Sequence, residues 1–216
     1  MPVDATADTK GDATAADCNT GGKVTGVFGG SFNPVHNGHI ALAREVVRQG
    51  LADRVLMVLS PLNPLKEHPE ALIDDGQRME MLCQACAPYP ELIPCDIELT
   101  MSRPSYTVDT LRRLADENPD GRFRLIIGAD NWMNFDRWRE PVEIITRFSP
   151  IVYPRENCQL PVGDPRVTAI SAPLFPVSST AIRELIAAGD DVNNLMPQTV
   201  LDYIRAHKLY CSPDTL

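Results

Sequence analysis

The chain has 216 residues, 44% of them hydrophobic, and a formal net charge of −9. That length supports one sizeable core or at most two small domains. The acidic balance argues against a broad surface for nucleic acid or anionic membrane, and no apolar run reaches the roughly 18–20 residues of a membrane span.

Residues 1–22 are small, polar and mildly acidic with no apolar segment. They read as a disordered tail, not a secretory leader, and the folded domain is expected at 23–216. "KVTGVF" then reads as a strand. Residues 38–49 read as a helix with Ile40, Ala43, Val46 and Val47 inward and Gly50 at its end. "RVLMVL" (54–59) is almost continuously apolar, as in a parallel strand buried on both faces. A proline-rich loop, "SPLNPLKEHPE", leads to a helix near 76–87, a strand near 92–98, and a helix near 107–117 with Val108, Leu111, Leu114 and Ala115 inward. "FRLIIG" (123–128) is the next buried strand. Residues 131–147 suggest one or two short helices, "PIVY" and "RVTAI" two strands, and 179–188 and 198–207 two final helices. Such alternation predicts right-handed βαβ units: an α/β, Rossmann-like, doubly wound parallel sheet in a single domain, with the C-terminal helices packed on it.

The six cysteines, at 18, 83, 86, 95, 158 and 211, are irregularly spaced. In "CQAC", Met79, Leu82, Cys83 and Cys86 follow the i, i+3, i+4, i+7 stripe of a helix core, and no second pair completes a zinc set. Buried, reduced thiols are expected, with no metal held by protein ligands and a cytoplasmic location.

The stretch "GGSFNPVHNGHI" (29–40) follows the first strand. Gly29 and Gly30 permit a tight turn and close approach of a ligand. The helix opening near Gly38 offers free N–H groups and partial positive charge, and His36 and His39 can both face an anion there. Neither GxxxxGK[ST] nor GxGxxG is present. The plainer alternative is a pair of histidines that only cap and pack. In parallel sheets ligands bind at the carboxyl ends of the strands, where this stretch lies. A second phosphate candidate is "VSSTAIRELI" (177–186): Ser178, Ser179 and Thr180 suit a helix N-terminus, with Arg183 in the first turn. Taken alone, these residues fit a capped surface helix equally well. Lys66, in the proline-rich loop, could swing a point charge onto phosphates or remain solvated.

Gly30, Phe32, Pro34, His36, Gly38 and His39 form G-x-F-x-P-x-H-x-G-H, which resembles the signature of the HxGH nucleotidyltransferases. "SYTVDTL" (105–111), "GADNWMNFDRW" (128–138) and "VSSTAIRELI" narrow the resemblance to bacterial nicotinate mononucleotide adenylyltransferase; with "SPLNPLK" the ordered matches span about residues 24–210. The resemblance implies transfer of AMP from ATP to nicotinate mononucleotide (NaMN), giving deamido-NAD and pyrophosphate, with Mg²⁺ bound through the ATP phosphates. It implies that His36, His39 and Arg183 stabilise the reacting phosphates. Gly30, Ser31, Phe32, Gly38, Lys66, Gly128, Asp130, Ser178, Ser179 and Thr180 complete the ATP site, and Tyr106, Thr107 and Trp138 hold the nicotinate. Self-association stays open. Three positions depart from the family pattern: Leu65 where histidine often precedes the lysine, Asn33 where aspartate is usual, and Val177 where isoleucine is. A phosphomonoester is largely ionised at neutral pH, its second pKa being about 6. No general base is therefore needed, and direct in-line transfer through positioning and charge neutralisation is expected.

Overall fold

The computed structural model describes residues 22–61, 72–175 and 177–211; the tail expectation for 1–22 and the assignment of Lys66 fall essentially outside them. Six strands form one parallel sheet: β1 (Val24–Gly30), β2 (Arg54–Leu59), β3 (Leu92–Cys95), β4 (Arg122–Gly128), β5 (Ile151–Tyr153) and β6 (Thr168–Ala169), in the order β3-β2-β1-β4-β5-β6. Every pairing is parallel, so the doubly wound expectation holds.

Alternation along the strands divides the core into two layers. In β2, Val55, Met57 and Leu59 face one layer, while Leu56 and Val58 face the other. Helices α1 (Asn37–Arg48), α2 (Asp75–Cys86), α6 (Ser179–Ala188) and α7 (Gln198–Ala206) cover the first layer through Ile40, Leu82, Ile182 and Ile204. On the second layer, α3 (Thr107–Glu117) and α5 (Pro141–Phe148) bring Leu111 and Ile144. This two-sided burial is why the strands read as nearly unbroken apolar runs. Connections leave β1 and β4 toward opposite sides, so the topological switch lies between their carboxyl ends, at Gly30 and Gly128.

Three expectations change. The strand near 92–98 stops at Cys95, and a 3₁₀ turn at Ile97–Thr100 follows. The short helices expected over 131–147 are present as a single turn, α4 (Ala129–Trp132), and α5, with a 3₁₀ turn at Phe135–Arg137 between them. "RVTAI" contributes only Thr168–Ala169. In α2 the inward stripe is Arg78, Met81, Leu82, Ala85 and Cys86, with Met79 and Cys83 only half-buried. Arg78 takes an inner position because its guanidinium is bonded to main-chain carbonyls there.

Candidate active site

After β1 the chain makes a turn over residues 31–35 and enters α1. Phe32 has a left-handed φ of 41° yet is 1% exposed, and it meets Phe28 edge-on at 6.0 Å and His39 at 5.1 Å. Such a conformation in an aromatic residue persists only where surrounding contacts over-determine it. Those contacts come from distant parts of the chain. Arg78 Nη1 donates to Ser31 O at 2.6 Å, Arg183 Nη1 to Asn33 O at 2.8 Å, and Ser179 Oγ to Pro34 O at 2.9 Å. The Tyr210 hydroxyl donates to Asn33 Oδ1 at 2.7 Å.

The two histidines cap α1 together. Gly38 N–H donates to His36 Nδ1 at 3.2 Å, and His36 N–H donates to His39 Nδ1 at 3.2 Å. A nitrogen that accepts carries no proton, so on each ring the N–H is at Nε2. The rings lie 3.7 Å apart. Burial, and then the charge of Arg155, lower the His36 pKa to about 4, so His36 is a neutral donor at physiological pH. A Cβ on Gly38 would come within 3.0 Å of the His36 ring and of Phe175 Cβ, which accounts for glycine between the histidines.

His36, Gly38, His39, Asp130, Arg155 and Ser178 line a cavity of about 670 Å³. Arg155 Nε lies 3.5 Å from Asp130 Oδ1 and reaches over the Tyr153 ring. A second cavity, of about 190 Å³, is lined by Gly30, Glu98, Tyr106, Thr107, Gly128 and Trp138. Phe28 and Tyr153 wall both cavities, so the two adjoin at the ends of β1 and β5. Trp138 stacks on Phe135 at 5.1 Å, and its buried Nε1–H has no partner. Tyr106 is exposed under the Arg139 guanidinium. Trp132 packs against Phe135.

The predicted residues are thus distributed in three places. His36, Gly38, His39, Asp130 and Ser178 stand at the larger cavity. Gly30, Tyr106, Thr107, Gly128 and Trp138 stand at the smaller; Gly128 is at the border, where an added Cβ would meet Asp130 and Arg155. Ser31, Phe32, Ser179 and Arg183 build the turn, and Thr180 accepts weakly from Arg183 Nη2 at 3.4 Å. Three further residues were missed. Arg155 follows "PIVY", and its place past the carboxyl end of a strand was the available signal. Arg78 left none. Glu98, 7% exposed, accepts from Ser105 Oγ and Thr110 Oγ1, each at 2.8 Å; the sequence placed it inside a strand. Asp109, in the first turn of α3, pairs with Arg139 at 3.0 Å.

Residues 27–185 match the cytidylyltransferase-like family model. A probable nicotinate-nucleotide adenylyltransferase from Bacteroides fragilis is 41% identical over 82% of this chain and 88% of its own length. One from Flavobacterium johnsoniae is 37% identical over 86% and 97%. Among solved structures, Plasmodium falciparum nicotinic acid mononucleotide adenylyltransferase complexed with NaAD superposes with a TM-score of 0.73 at 18% identity, covering 90% of this chain and 98% of that one, a likeness of fold.

Proposed function

The chain belongs to the nicotinate-nucleotide adenylyltransferase family, and we propose that it transfers AMP from ATP to nicotinate mononucleotide, with the triphosphate in the histidine cavity and the mononucleotide in the tryptophan cavity. The observation that carries this assignment is the adjacency of the two cavities at the switch point, one walled by the His36–His39 cap and the other by Trp138.

An NaMN phosphate oxygen attacks the α-phosphorus, a new O–P bond forms, and the bond to the β-phosphate oxygen breaks to release pyrophosphate. The nucleophile is already ionised, so the protein's task is to align two anions and stabilise charge on the phosphoryl oxygens. The Nε2–H groups of His36 and His39 donate there, and His36 does so as a neutral ring. Arg155, and the Arg183 N–H groups not used on Asn33, supply positive charge. Trp138 offers a flat face to the pyridine ring, and the backbone N–H groups of Tyr106 and Thr107 suit a carboxylate.

Among the described residues no group of three His, Cys, Asp or Glu could hold a metal ion. The side chains fit magnesium carried on the triphosphate, with Asp130 as the carboxylate that would help hold it. Bound there, magnesium would neutralise phosphate charge. No helix among the described residues is long and apolar enough to cross a membrane. The described cysteines are free thiols, which suits a reducing cytoplasm.

The test is pyrophosphate release from ATP and Mg²⁺ with NaMN, nicotinamide mononucleotide or phosphopantetheine offered separately. Strong preference for NaMN is expected. Preference for another acceptor would overturn the ring-carboxylate assignment, and no release from protein that binds ATP would overturn the enzyme reading.

A further inference from the structure

Arg78 is the largest fully buried side chain described, 0% exposed, and it is charged. A buried guanidinium is costly unless its donors are satisfied. Here Nε donates to Ile73 O at 3.2 Å, Nη1 to both Ser31 O at 2.6 Å and Ser60 O at 3.0 Å, and Nη2 to Asp75 Oδ1. One side chain of α2 therefore holds the turn after β1 and the end of β2 at once.

Asp75 carries the connection onward. Its second oxygen, Oδ2, accepts from Arg103 Nη2 at 2.7 Å. Arg103 is two residues before Ser105, which Glu98 anchors, and three before Tyr106 at the smaller cavity. The path Ser31–Arg78–Asp75–Arg103 thus runs from the turn beside the histidine cavity to the loop beside the tryptophan cavity. Asp75 is only partly covered, and Arg103 half-exposed. An isolated pair of that kind is worth little for stability, whereas a carboxylate whose two oxygens are engaged by arginines anchored in different loops can transmit position.

We infer that Asp75 is a positioning residue that couples the two substrate cavities: nucleotide bound against the turn fixes Ser31 and Arg78, and Asp75 passes that order through Arg103 to the acceptor loop. The inference rests on the assignment of ATP and NaMN to the two cavities.

The test is calorimetric titration of NaMN into the full chain, with and without α,β-methylene-ATP. In the wild type the analogue should tighten NaMN binding at least about fivefold. In Asp75→Ala, and separately in Arg103→Ala, that ratio should fall to about one. NaMN binding in the absence of the analogue should stay within about threefold of wild type, and the double variant should lose no more than either single one. A merely structural role would lower the melting temperature or weaken NaMN binding equally in both conditions. Arg103→Ala, at an exposed loop position, keeps the test open if Asp75→Ala folds poorly. A wild-type ratio of one, or an unchanged ratio in both variants, overturns the inference and leaves the function standing. Failure of the wild type to bind NaMN at all overturns the functional reading, and the inference with it.

Discussion

A neutral histidine at an anion site carries a measurable cost in acid. The folded-state pKa of His36, about 4, lies below the ordinary 6.5 because the ring is buried. Between those values the unfolded chain binds the proton and the folded protein does not. Stability therefore falls as pH drops from about 6.5 to about 4, by about 3 kcal/mol for this group. Chemical denaturation at stepped pH should show the loss, and His36→Asn should remove that part of it. His39 is half-buried and lines the same cavity. We expect His39→Ala to lower kcat about 10²- to 10³-fold, as when one preorganised donor is removed, with a loss of cap stability of about 1 kcal/mol. Unchanged turnover in the folded variant would contradict its placement. Both histidines were legible in the sequence because glycine, proline and two imidazoles crowd one strand-to-helix turn. Arg78 and Glu98 were not: hydrophobic periodicity assigns a charged side chain to solvent, and nothing local reveals the distant carbonyls and hydroxyls that satisfy it.

At the scale of elements, the helices do more than cover the sheet. The serine cap and Arg183 of α6 were expected to meet phosphate. Ser178 does border the larger cavity, but Ser179 and one arm of Arg183 are spent on the turn. Part of the motif's work is thus to hold the histidine loop from behind. The segment after β4 forms the opposite wall. Its 3₁₀ turn places Phe135 under Trp138, and the Asp109–Arg139 pair ties it to α3. Trp138→Ala should raise KM for NaMN about tenfold through lost stacking, with a smaller effect on KM for ATP; the reverse pattern in steady-state kinetics would exchange the two cavities. Elements with long periodic patterns, β1, β2, β4, α1, α3 and α7, were readable. So were α2, α6 and the short β5, whereas β6 and the 3₁₀ turns were not. β6 is two residues long, and the turns at 97–100 and 135–137 owe their shape to the pockets they border, not to any period.

Across the whole molecule, the order β3-β2-β1-β4-β5-β6 was implied only as a class, since alternation of strands and helices does not say which strands become neighbours. The topology also brings both termini of the described domain to the same turn: β1 leads into it, and Tyr210 closes on Asn33 from the other end. Asn33, where the family pattern has aspartate, is 1% exposed and accepts that hydroxyl. Burial raises the Tyr210 pKa well above the ordinary value, so it remains a donor across the physiological range. Tyr210→Phe should cost about 1–2 kcal/mol by withdrawing a donor from a buried carboxamide, seen as a fall in melting temperature of about 2–6 °C.

The clasp of Arg78, Ser179, Arg183 and Tyr210 on the turn has a consequence for biosynthesis. A chain emerging from the ribosome can pair β1, β2 and β3 early, since N-terminal units fold first, and it then already contains both histidines. Ser179, Arg183 and Tyr210 are translated about 140 to 174 residues after them. Until those residues arrive, the turn lacks three of its four side-chain fasteners. Growing chains would therefore carry the phosphate-handling motif in unfinished form, and adenylyl transfer would begin only when translation reaches the far end of the fold.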